Sequence, residues 1–294
     1  QYGLFFDRCN LHQIIVHGNH ISWNKQAGIK SLDGDVHNLQ ITGNDIEYNN
    51  NPGVDKSPGG EPRGAEIWFE APGGVISEVT ISSNTLQATI QPGGCNVRIH
   101  GQDTTGAAAA RLVTIAGNVL GSQTRGIELK HVERVAITGN TIYGAARENI
   151  LLQGCQNTVI GSNTIGTRPN MYASSLKYRD GVRLENCRDC VLSGNVLNGM
   201  QDDSLYFKES TDCSASGNQI TNSHKRGIVL DNTTRCRISD NSVVERREKR
   251  LMPVAIEVTG KSNLIQNNAL TRGLKNGILC DVKHGKTQGN TIWD

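Results

Sequence analysis

A right-handed parallel β-helix, an all-β solenoid of about eleven coils, is the fold class this sequence predicts. Three observations predict it: an asparagine motif that recurs at spacings near 22 residues, a second strand motif in each coil, and a composition suited to short strands and tight turns. Aromatic residues make up 4% of the 294, while there are 33 glycines and 28 asparagines, which argues against packed helices.

The asparagine motif places two apolar positions, two small residues, Asn, any residue and an aliphatic in order, as in Val135-Ala136-Ile137-Thr138-Gly139-Asn140-Thr141-Ile142. Its asparagines are Asn19, Asn44, Asn84, Asn118, Asn140, Asn163, Asn195, Asn218, Asn241, Asn268 and Asn290, spaced by 25, 40, 34, 22, 23, 32, 23, 23, 27 and 22 residues. Aliphatic residues five and three before the Asn and two after it form two short strands of period 2 around a bend. The Asn is expected in the left-handed backbone conformation, its amide bonded to the next coil's Asn at about 4.8 Å spacing. The eleven asparagines are therefore structural.

The second motif is Gly-aliphatic-x-aliphatic, at Gly3-Leu4, Gly28-Ile29, Gly126-Ile127, Gly181-Val182, Gly227-Ile228 and Gly277-Ile278, with Asn149-Ile150 and Ser204-Leu205 in the same slot. Together the motifs give about three sides per coil. A leucine-rich horseshoe has a similar period, but its Leu-rich signature is missing.

Cys190, Cys213 and Cys236 share the position five before the Asn, and Cys155 and Cys187 the position eight before it. Stacked at one-coil spacing they read as free buried thiols, too far apart for disulfides. The Cys187-x-x-Cys190 pair has no second pair to complete a metal site, and strand alternation is expected to separate its two sulfurs.

Net charge is +2 with the two signs interspersed, so neither nucleic acid nor an anionic membrane is expected as a partner. No apolar run reaches the length of a membrane-spanning helix. Residues 1–294 are read as a single domain, either a segment of a longer chain or one whose ends partners cap, because open terminal coils expose backbone groups.

Chemistry is expected on the outer face. Three long insertions, Asn49 to Arg63, Gly101 to Ala110 and Thr167 to Arg179, are read as framing a groove. Outward residues of the Gly-containing strand form two columns: Glu66, Arg98, Glu128, Leu151, Arg183, Tyr206 and Val229 beside Trp68, His100, Lys130, Gln153, Glu185, Lys208 and Asp231. Aromatic faces and charged groups side by side suit sugar binding, and they equally suit a solvated sheet face. At the corner before this strand stand Arg125, Glu148, Asp180, Asp203 and Arg226, with Asp202 beside Asp203. Carboxylates one coil apart repel, so one is expected to hold a proton while another stays ionised, as acid/base hydrolysis needs; acidic residues are also ordinary turn formers.

The stretches Asp180-Gly181-Val182, Gln201-Asp202-Asp203-Ser204-Leu205 and Ser223-His224-Lys225 resemble the Asn-Thr-Asp-Gly, Gln-Asp-Asp-Cys and Gly-His-Gly motifs of polygalacturonase-like glycoside hydrolases, within the wider pectate-lyase-like β-helix superfamily. The resemblance implies Asp202 as general acid, Asp180 and Asp203 activating water in an inverting displacement, and His224 in support. Tyr178-Arg179 replaces the family's Asn-Thr, and Ile256-Glu257-Val258 stands where it has Arg-Ile-Lys. Arg226 and, from the two columns, Glu66, Trp68, Arg98, His100, Glu128, Lys130, Arg183, Glu185, Tyr206 and Lys208 are the expected sugar ligands, with no cofactor.

Two other classes share the fold. A polysaccharide lyase would use a base such as Lys130, Arg183 or Lys208 beside Glu128 and Glu185, with either a cationic side chain or Ca²⁺ neutralising the uronate carboxylate. The Asp-Pro-His motif of β-helical alginate epimerases is missing. The repeat style also resembles phage tailspike or adhesin bodies that bind surface polysaccharide. A monomer is expected of a secreted enzyme and a homotrimer of a spike, each extracellular or at a cell or virion surface.

Overall fold

A computed structural model of the chain describes residues 1–50, 64–88, 90–103, 108–167 and 180–293, so most of the three long insertions lies outside the described residues. Among the described residues there is no helix, and the strands form three parallel sheets of 11 strands each. The first sheet runs from Tyr2–Asp7 to Asn276–Cys280, the second from Asn10–His17 to Gly285–Gln288, and the third from His20–Ser22 to Thr291–Trp293. Each strand pairs with its counterpart one coil on, which makes the chain a right-handed parallel β-helix of eleven coils.

The asparagines hold the corner between the second and third sheets. Ten side-chain amide bonds of 2.9–3.0 Å link all eleven into one file from Asn19 to Asn290. The left-handed conformation falls one residue earlier than the sequence indicates. Gly18, Gly43, Ser83, Gly117, Gly139, Ser162, Gly194, Gly217, Asp240, Asn267 and Gly289 all have positive φ, and none of the ladder asparagines does. The turn is made by a small residue that tolerates φ > 0, which frees the Asn to extend and stack its amide.

The Gly-containing motif forms the first sheet. Leu4, Ile29, Ile67, Val97, Ile127, Ile150, Val182, Leu205, Ile228, Ile256 and Ile278 stack in register, and from Ile29 to Ile256 they are fully buried. Glycine precedes many of them because the next coil comes close: a Cβ on Gly181 would lie 2.4 Å from the Ser204 carbonyl oxygen.

Glu66 occupies this slot, and the register there corrects the outward columns. Ile67 pairs with Val97, Trp68 with Arg98 and Glu70 with His100, so Trp68 heads the first column, Glu70 the second, and Glu66 neither. A coil without Gly in the slot hid the register. Glu66 is 0% exposed, and its Oε2 accepts bonds from the Asn49 backbone N–H (3.2 Å) and Nδ2 (2.7 Å). Burial pushes its carboxyl well above the ordinary carboxylate range, although these bonds favour the charged form. A raised folded pKa means that this group's stabilising contribution is full below the unfolded value and is lost as pH rises toward the folded one. Glu66→Gln is therefore expected to melt higher than the parent at pH 8, with the gap closing toward pH 4; a gap that stays constant across this range would refute a protonated Glu66.

All eight cysteines are free, and Cys95, Cys155, Cys187, Cys190, Cys213 and Cys236 are buried. Cys187 and Cys190 do not point apart. Asp189 between them has φ 53°, which breaks the alternation and returns both sulfurs to the core. Hydrogen bonding to the Cys187 thiol pushes Cys190 up to about 12, with burial adding to it, so this thiol stays protonated and inert.

Candidate functional site

One polar cleft of about 350 Å³ lies on the outer face of the first sheet, at the corner column of acids and arginines. Successive coils bring Glu148, Asp180 and Asp203 one above the other, tied by backbone bonds from Asn149 N–H to the Asp180 carbonyl and from Gly181 N–H to the Asp203 carbonyl. Asp202 and Lys225 come from the residue before this corner. Arg183, Glu185 and Tyr206 project from the strands behind.

Asp180 and Asp203 differ in surroundings. Asp203 is buried, and Arg226 grips both its oxygens, Nε to Oδ1 and Nη2 to Oδ2, each at 2.8 Å. This two-point ion pair, with Glu257 also bonded to Arg226 at 3.0 Å, raises the arginine's pKa further. Asp180 accepts the Asp203 backbone N–H at 3.2 Å, and Arg183 stands 3.5 Å from its other oxygen. Burial, helped by the charges of Asp203 and Asp202, outweighs these contacts and pushes the Asp180 carboxyl up to about 6. Asp202 lies nearer the rim, 3.9 Å from Lys225 Nζ.

Tyr206 carries Arg183 on its ring face, 4.2 Å from guanidinium carbon to ring centroid. Its hydroxyl donates to Asp231, and burial together with that bond pushes it up to about 12. It acts here as an aromatic platform and a neutral donor.

Of the residues singled out from the sequence, Asp180, Asp202, Asp203, Arg183, Glu185, Tyr206 and Arg226 line the cleft. The others lie elsewhere. His224 is exposed but does not line the cleft; burial on one side and the charge of nearby Arg247 lower its pKa. Lys130 and Lys208 flank the cleft on neighbouring positions without lining it. Arg98 and Glu128 are buried partners, with Arg98 Nε 3.2 Å from Glu128 Oε1; His100 bonds the same oxygen at 2.8 Å and Arg125 Nη1 the other at 2.9 Å. Although burial opposes it, His100 with the two arginine charges holds Glu128 far below the carboxylate range. Trp68 is only 8% exposed, and the Lys30 ammonium sits 3.2 Å from the ring centroid, so its face is already occupied. Among the described residues this stack braces the wall and offers sugar no open aromatic plane.

Arg125, Glu148, Leu151 and Gln153, which the sequence placed in these columns without a role in the site, also line the cleft, as do Arg147 and Lys225. Arg147 and Lys225 occupy the same place before the corner as Asp202, so reading that column along its whole length would have found them.

With this geometry the class is clear: a parallel β-helix carrying a charged cleft on one face. The family described as "Periplasmic copper-binding protein (NosD)" matches residues 71–176 and 167–294, and the chain belongs to it. No curated protein matches. Among solved structures, the chain is similar to a periplasmic alginate epimerase at 11% identity and a TM-score of 0.63, over 99% of this chain and 76% of that one. It is also similar to an alginate lyase from Paenibacillus sp. str. FPU-7 at 12% identity and a TM-score of 0.55, over 93% and 95%. The Dettilon tailspike protein aligns at 12% identity and a TM-score of 0.51, over 98% of this chain, which spans only 61% of the tailspike. At these identities the likeness is one of fold.

As for metals, one group of three His, Cys, Asp or Glu donors converges among the described residues: His20, Asp45 and Glu47. It lies outside the family-matched span.

Proposed function

We propose that the cleft binds a polysaccharide, an acidic one, and cleaves it by inverting hydrolysis at Asp180 and Asp202. The observation that carries this reading is the gathering of three carboxyls in one cleft with unequal surroundings: Asp180 pushed up to about 6, Asp203 clamped by Arg226, and Asp202 toward the rim. Asp180 donates its proton to the glycosidic oxygen as the C–O bond breaks. Asp202 takes a proton from the water that attacks the anomeric carbon from the opposite face. This exchanges the two roles that the family resemblance implies, because the acid is assigned to the carboxyl whose pKa burial raises. Asp203, neutralised by Arg226, holds Asp180 through its backbone N–H. Arg147 and Lys225, half-exposed on the rim, are suited to sugar carboxylates.

That the similar structures are an alginate epimerase, an alginate lyase and a tailspike supports carbohydrate as the ligand. The family description and the epimerase favour a periplasmic or other extracytoplasmic setting. The copper in that description finds no fit in the cleft, since no three donor groups converge among the described residues of the matched span. No step here depends on it.

The test is incubation with polygalacturonate and alginate, with assays for reducing ends and for ultraviolet absorbance of unsaturated uronide. Reducing ends without that absorbance support hydrolysis, and their loss in Asp202→Asn supports the assignment. An Asp202→Asn variant as active as the parent would discard it. Absorbance would select the lyase reading, for which Arg183 and Glu185 are the members of the expected set that reach the cleft. Retention on immobilised polysaccharide without cleavage, by a chain that elutes as a trimer, would select the binding spike.

A further inference from the structure

The third sheet consists of eleven three-residue strands, each with its middle residue turned inward. Its outward positions are otherwise Thr, Val, Ser, Gln, Asn, Gly, Ala, Tyr or Trp, the neutral set expected of a solenoid wall. His20, Asp45 and Glu47 are the only His, Asp, Glu, Lys or Arg residues in the strands of this sheet, and all three fall together.

Register explains the meeting. His20 pairs with Asp45 across one coil step, and Glu47, two residues beyond Asp45, points to the same side. His20 Nδ1 lies 3.0 Å from Asp45 Oδ2, and its Nε2 lies 3.9 Å from Glu47 Oε1, beyond hydrogen-bond reach. On the far side, Gln87 Nε2 donates to Glu47 Oε2 at 2.9 Å, fixing that carboxylate with its other oxygen toward the imidazole. One donor atom from each residue lies within 4.8 Å of the other two. Next along the same two strands, Trp23 and Tyr48 stack at 5.1 Å and 13°, locking the two coils together.

We propose that His20, Asp45 and Glu47 bind a divalent first-row transition-metal ion of the Zn²⁺ and Cu²⁺ class, with water completing the coordination. An imidazole with two carboxylates favours such ions, whereas Ca²⁺ and Mg²⁺ call for all-oxygen ligands. The site is separate from the cleft and from the family-matched span. A bound ion bridges two coils and so braces the beginning of the solenoid.

The test titrates ZnCl₂ into the untagged chain by calorimetry, with CaCl₂ as control. One Zn²⁺ per chain is expected, with no Ca²⁺ uptake. His20→Thr, which installs a residue common on this column, and Glu47→Gln should each weaken Zn²⁺ binding at least tenfold while the circular dichroism spectrum stays unchanged. Cu²⁺ should quench the fluorescence of exposed Trp23, an effect absent in Trp23→Phe and reduced in His20→Thr. Absence of Zn²⁺ and Cu²⁺ binding, or binding equally tight in His20→Thr, overturns the proposal and leaves the triad as an ion-paired clamp.

Discussion

Asp180→Asn is expected to lower the rate of reducing-end release by about 10²–10⁴, the range by which a positioned general acid accelerates such a step. The parent's pH profile should carry the signature of the same group. Because burial pushes Asp180 up to about 6, the fraction that holds a donatable proton is high below that pH and falls about tenfold per unit above it. Hydrolysis should therefore decline on the alkaline side of about pH 6 in the parent. In Asp180→Asn that limb should vanish from the residual activity, since the amide does not titrate. The substitution keeps the shape of the side chain and can still accept the Asp203 N–H, so folding should be intact. A parent profile flat from pH 5 to 8, or a variant that keeps the alkaline limb, would remove Asp180 from the acid role.

The second large effect is one of stability, in the asparagine file. Asn163 lies at its middle, 1% exposed, and its amide makes four bonds. It donates to Asn195 Oδ1 at 2.9 Å and to the Ile137 carbonyl at 3.0 Å, and it accepts from the Asn140 backbone N–H at 2.9 Å and from Asn140 Nδ2 at 3.0 Å. Asn163→Ala leaves the Asn140 N–H buried without its partner and removes the amide's three other bonds. The orphan costs about 1–3 kcal/mol and each lost bond about 0.5–1.5, so a total of about 3–5 kcal/mol is expected, a large share of the stability of an ordinary domain. Asn290→Ala, at the last coil, should cost far less, because Asn290 is only part-buried and its bonds reach the preceding coil alone. Urea unfolding of the two variants reads the difference directly; equal midpoints would mean that the file is an ornament of the fold and not one of its supports.

Much of this architecture is visible in the chain before any coordinates. The spacing of Asn140, Asn163 and Asn218 and the alternation around them place interior and exterior residues of two sheets, and the Gly-aliphatic motif supplies the third. The corner column of Arg125, Glu148, Asp180, Asp203 and Arg226 follows from the same counting, and it is the column that lines the cleft. What counting misses are the departures from the repeat. Glu66 sits where other coils have Gly or a small residue, and with that marker gone its register is ambiguous by one alternation, enough to exchange a buried acid for an outward one. Cys187 and Cys190 fail in the same way, because the left-handed Asp189 between them resets the alternation. His224 follows the order of a known motif, yet its side chain does not reach the cleft.

A solenoid is already written into the chain, because a residue placed every two dozen positions in the same corner can satisfy its amide only by stacking on its own repeats. The chain likewise sets which residues become neighbours across most coils, that of Glu66 excepted. The tertiary structure alone decided what those neighbours do to one another. Arg226 turns to Asp203 while burial raises the Asp180 pKa, Lys30 covers Trp68, and Glu47 faces His20. Such choices depend on side-chain direction, desolvation and the competition of several charges for one partner, all of which arise only when coils distant in sequence close to a few ångströms.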